Sequence, residues 1–156
     1  MTEGNVEPTE ASETLAYHQD KDTFLQEVVR FANLGLGIGV TLVAEGALIS
    51  GTLIGGKQYF ESLGKAVSGG TATGFGDEFD VLKTLGDSFA TRALRYVRPD
   101  DAGDEWELPD PAYVHLENAR LYSPGGEPIP SGKGMLWRGK INAISGFSIG
   151  SFDSPS

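Results

Sequence analysis

The string Gly51-Thr52-Leu53-Ile54-Gly55-Gly56-Lys57 has the GxxxxGK spacing of a loop that cradles nucleotide phosphates on backbone amides, with the lysine reaching the terminal phosphates. Gln58, however, stands where magnesium binding calls for Ser or Thr, and Thr52-Leu53-Ile54 reads as strand rather than loop. No parallel βαβ pattern surrounds it, so it reads as a strand end followed by a helix start. Gly146-Phe147-Ser148-Ile149-Gly150 spells the elbow that exposes a nucleophilic serine between a strand and a helix. Six residues follow Gly150, too few for that helix and for a downstream acid and histidine, so the match reads as accidental. Of the two histidines, His18 falls in the N-terminal tail, and His115 falls on a strand, where it is expected to face outward. Neither is placed to serve a hydrolase.

Six acids lie between Asp100 and Asp110, but a solvated linker cannot hold a carboxylate pair at a fixed separation. The same run lacks the DxDxDG order of a calcium loop. With no cysteine and two histidines, the usual zinc ligand sets cannot be assembled. The chain is therefore expected to be no enzyme, with no catalytic residue, metal or cofactor. The only basic concentration is Arg120, Lys133, Arg138 and Lys140, near Trp137 and Tyr122. Such a set could stack and neutralise a nucleic acid. Against it stands the whole chain, with 22 acids against 12 bases and a net charge of -10, which repels phosphate backbones and anionic membranes. The set reads instead as the wet edge of a sheet. No apolar run reaches the roughly 18 residues of a membrane span, and the acidic N-terminus is unlike a signal peptide. A soluble cytoplasmic protein is the expectation.

The elements that carry these residues are legible from periodicity. Residues 1–21 form an acidic tail expected to be disordered, and residues 153–156 a frayed end. Thr23 and Gln26 have capping-box spacing, and Phe24, Leu25, Val28, Phe31 and Ala32 form one apolar stripe of an N-terminal helix stopped by Asn33 and Gly35. Ile38, Val40, Leu42 and Ala44 alternate, Glu45-Gly46 makes a tight turn, and a second apolar strand follows from Ala47 to Ile54. Two helices are inserted next, within about residues 56–111. The first has Tyr59, Phe60, Leu63 and Val67 inward; the second runs from about Asp77 to Arg98 and carries Gly86 in its middle. Three strands follow the linker. The first has Val114, Leu116, Ala119 and Leu121 inward, and the parity shift near Asn118 marks a bulge.

Two resemblances extend this reading. Val40, Leu42, Gly46, Gly51 and Leu53, with Arg138, Gly139, Ile141 and Ile144 in RGxxI spacing, resemble the two motifs of the Sm-like fold. That resemblance implies an α+β fold: an N-terminal helix and a strongly bent five-stranded antiparallel small barrel, with two helices inserted between the second and third strands. Residues 22–152 then form a single small-barrel domain. The acid-and-asparagine motif that holds RNA bases in Sm proteins has no match before Val114, so nucleic-acid binding remains the alternative reading. Ile49-Ser50-Gly51-Thr52, Tyr59-Phe60, His115-Leu116, Asn118-Ala119 and Trp137-Arg138-Gly139-Lys140-Ile141 resemble the gas-vesicle accessory protein U family (GvpU). This second resemblance implies a non-enzymatic, gas-vesicle-associated adaptor. Its partners would be the vesicle shell proteins and further copies of itself, and it would promote vesicle clustering as a homo-oligomer. Trp137, Arg138 and Lys140 are the candidate partner contacts, with Arg138 alternatively bonding carbonyls across the strand turn.

Overall fold

The computed structural model describes residues 21–70 and 80–152. Residues 1–20 of the expected tail, most of the expected loop after the first inserted helix, the opening of the second at Asp77 and Glu78, and the expected frayed end lie outside the described residues.

Helix α1 spans Thr23–Asn33. Its N-cap is Asp22, whose carboxylate accepts from the amides of Phe24 at 2.9 Å and Leu25 at 3.1 Å. The capping box expected at Thr23 does not form, because Gln26 turns inward and donates from Nε2 to the buried carbonyl of Pro111 at 2.9 Å. Gly35, at φ 102°, releases the chain from the helix.

Strands β1 (Ile38–Ala44) and β2 (Ala47–Ile54) form the expected hairpin. Glu45 and Gly46 both have positive φ, at 51° and 80°, as a two-residue hairpin turn requires. Helix α2 (Gly56–Ser68) follows, then α3 (Val81–Thr91), whose chain tightens into a 3-10 segment over Arg92–Tyr96. The second inserted helix is thus shorter in regular α form than its apolar periodicity implied. Strands β3 (Tyr113–Tyr122), β4 (Pro128–Ile129), β5 (Met135–Lys140) and β6 (Ile144–Ile149) complete the fold, with a 3-10 turn over Ile141–Ala143 between the last two.

All pairings are antiparallel, and the sheet runs β6-β1-β2-β3. The far edge of β3 carries β5 along Tyr113 to Ala119 and β4 at Leu121 and Tyr122. The architecture is α+β with the helices between the second and third strands, as expected. The sheet has six strands rather than five, the addition being the two-residue β4 inside the Pro/Gly-rich loop. It curls without closing: β5 and β6 occupy opposite sides of the sheet and do not pair with each other.

The bulge read at Asn118 is present. Asn118 has φ 51°, and β3 shifts register there against both neighbours. Gly51 makes the tight approach possible, since a Cβ there would lie 2.9 Å from the Ala119 Cα and 3.0 Å from the Glu117 carbonyl oxygen. Because the bulge restores parity, Val114, Leu116 and Ala119 all reach the main core. That core lies between the sheet and α1, and joins Leu25 and Val29 to Val40, Leu42, Ile49, Leu53 and Ile141. A second, smaller core covers the opposite face, where Tyr59 and Phe60 of α2 meet Ile54 and Ala93.

Candidate functional site

Strand alternation decides where the expected contact residues go. Trp137 lies on the inner face, half-buried against the main core, with its ring beneath the position a Gly139 side chain would take. Leu136, one residue earlier, packs against the second core on the opposite face. Arg138 and Lys140 share that opposite face by alternation, and both are exposed. The three residues therefore do not form one patch: β5 sends Trp137 to one side and the two bases to the other.

Arg138 stands directly across from His115 in the β3–β5 register. Its Nε donates to His115 Nε2 at 3.2 Å, and its guanidinium carbon sits 3.4 Å from the centre of the Tyr113 ring. The alternative role read from the sequence, bonding carbonyls across the strand turn, is replaced by this histidine bond and ring stack. Arg120 is the residue that holds carbonyl oxygen, donating from Nε and Nη2 to Gly132 at 3.1 and 2.9 Å.

His115 corrects an expectation. It does point away from the main core, but it is only 2% exposed, because α2 and the 3-10 segment close over that face. The rings of Tyr59, Phe60 and Tyr96 surround it at centroid distances of 4.6, 5.7 and 6.4 Å. Alternation along β3 shows which side His115 takes, but not that inserted helices cover it. Burial, together with the Arg138 charge, lowers its pKa from 6.5 to about 4, so the imidazole is neutral at pH 7. Burial likewise raises the Tyr59 and Tyr96 hydroxyls above their ordinary value, with nearby arginine charge opposing the rise.

Beside this cluster lies a small cavity of about 100 Å³, reached by Arg92 and Arg95 from the 3-10 segment as well as by Arg138 and His115. The insertion and the linker meet here. The linker is tied to α1 by the Arg30–Asp110 ion pair at 2.7 Å and by the Gln26 bond to Pro111.

The two enzyme-like strings resolve as read. Gly51 to Ile54 belong to β2, and the first amide of α2, on Gly56, is taken by Asn33 Oδ1 at 2.9 Å. A phosphate would have to displace that side chain. Ser148 lies within β6, paired with Thr41, and not on a turn. No cluster of three or more His, Cys, Asp or Glu suited to a metal occurs among the described residues.

With this geometry established, comparison with known proteins places the chain in a family. The family model described as "Gas vesicle protein GvpU-like" matches residues 22–152, and the chain belongs to that family. No curated protein and no solved structure matches it.

Proposed function

From that membership we propose that the chain is a non-enzymatic gas vesicle accessory protein that associates with the vesicle shell and promotes clustering by self-association. The observation that carries this reading is the family match, which spans every described helix and strand. Surface chemistry supports it. Phe24, Phe31 and Leu34 on the outer side of α1 are 60%, 47% and 71% exposed, and together they line one open groove with Glu27 and Arg30. Large apolar side chains gathered on one exposed helix face are a feature of association surfaces. The sheet supplies a second kind of surface, since β6 and β5 each have one edge unpaired within the described residues.

Clustering requires at least two contacts per particle, or one contact multiplied by oligomerisation. An apolar helix face and open sheet edges are two kinds of surface that could meet that requirement. Exposed Arg138 and Lys140 on β5 are the proposed polar contacts, with Trp137 supporting the strand from beneath. The working location is the vesicle surface in the cytoplasm. No helix among the described residues is long and apolar enough to cross a membrane.

A flotation experiment tests the reading. Purified gas vesicles rise on centrifugation, and protein bound to the shell rises with them. The proposal expects co-flotation and visible clumping; protein left in the lower layer at both low and moderate salt would remove it.

A further inference from the structure

We propose that the cavity between β3, β5 and the 3-10 segment is a binding site for one small oxyanion, held by Arg138, Arg95 and Arg92. The position of one proton is fixed by Arg138. A guanidinium only donates, so the 3.2 Å contact from Arg138 Nε makes His115 Nε2 an acceptor. In the neutral ring the proton then resides on Nδ1. That atom is buried and has no hydrogen-bond partner among the described residues, so the ring takes part in the site through its bond to Arg138.

The lining asks for an anionic partner. Three arginines line a cavity of about 100 Å³. Among the described residues neither Arg92 nor Arg95 has a carboxylate partner, while Arg30, Lys83 and Arg98 do. Among the described residues the one acid on the wall, Asp110, is engaged by Arg30 at 2.7 Å. Asn33 also reaches the cavity, but its Oδ1 is committed to the Gly56 amide. The polar wall thus offers donors and positive charge with little to accept from them.

Arg138 is also pre-positioned. Its Nε is anchored on His115 and its plane rests against Tyr113, so the two Nη groups are left as a fixed fork. That fork matches a carboxylate or a phosphate edge. The volume admits one oxyanion head and is too small for a nucleoside. Free phosphate and a carboxylate group are the two sources of such an oxyanion. Arg138 is shared with the proposed partner contacts, but Arg92 and Arg95 are not, so vesicle clustering could fail while anion binding persisted, and the reverse.

The experiment uses the full chain, with ¹⁵N-labelled histidine observed by NMR, during titration with sodium phosphate, then sodium acetate, against sodium chloride at matched ionic strength. The proposal expects His115 as the Nδ1–H tautomer and a saturable shift of its Nε2, the nitrogen that Arg138 holds, with phosphate, acetate or both. A response to phosphate alone identifies the phosphate source, and a response to acetate identifies the carboxylate. Arg95→Gln, on an exposed side chain, should weaken the responding anion about tenfold and leave the fold unchanged. Arg138→Lys should weaken it further by losing the fork. An Nε2–H tautomer, a response no larger than that to chloride, or equal binding by Arg95→Gln would overturn the site.

Discussion

His115 shows how a residue's chemistry is set by what covers it. Its strand position makes it look like a surface histidine, and one layer of inserted aromatic side chains makes it a buried neutral one. The consequence for stability has a definite sign. The unfolded chain takes up a proton on this histidine near pH 6.5, while the folded chain resists until about pH 4. Stability from this residue is therefore complete above the unfolded pKa and is lost as pH falls between about 6.5 and about 4, by about 3 kcal/mol in all. His115→Phe keeps an aromatic ring and removes the titration. Urea unfolding at pH 7 and pH 4.5 should show the parent losing clearly more stability on acidification than the variant. Equal losses would mean that His115 is not held neutral. Glycine, by contrast, was legible at this scale: Glu45-Gly46 could be assigned to its turn from residue type alone.

At the scale of elements, periodicity located the helices and strands, while long-range contacts decided their ends. Asp22 caps α1 rather than Thr23, because Gln26 is drawn to the carbonyl of Pro111, which no local pattern reveals. Asp22→Ala should cost about 1 kcal/mol in urea unfolding, and an unchanged midpoint would remove the cap from the account. Phe24 and Phe31 fit the apolar stripe of α1 yet lie outside its buried face, which consists of Leu25, Val28, Val29 and Ala32. Spacing identified an amphipathic helix but drew its stripe too wide.

Gly86 looked like a flaw in α3, and the fold gives it a reason. A Cβ there would meet the Gly64 carbonyl oxygen at 2.6 Å and the Ser68 side chain closer still, and a Cβ on Gly64 would in turn meet the Gly86 carbonyl oxygen at 2.7 Å. The two helices cross in contact at these glycines. Alanine gains about 1 kcal/mol in helix propensity, but forcing the crossing apart costs about 1–3 kcal/mol. Gly86→Ala should thus lower the unfolding midpoint; a raised midpoint would show that α2 and α3 do not cross this closely.

For the whole molecule, the Sm-like resemblance implied a strongly bent antiparallel small barrel with two inserted helices, and the bent sheet and the insertion are present. Whether the sheet closed was beyond local pattern, because closure depends on whether β5 and β6 meet after the 3-10 turn, and they do not. The open result leaves edges unpaired among the described residues, beside an apolar α1 groove. These are the surfaces from which the proposed clustering is argued. The most direct measurement follows vesicle clustering by light scattering as protein is added, comparing the parent with Phe31→Ser/Leu34→Ser, whose fold is checked by circular dichroism. The account predicts that the parent clusters vesicles in proportion to dose, and that the folded variant needs about tenfold more protein. Vesicles that stay dispersed with the parent at every concentration would contradict the central claim.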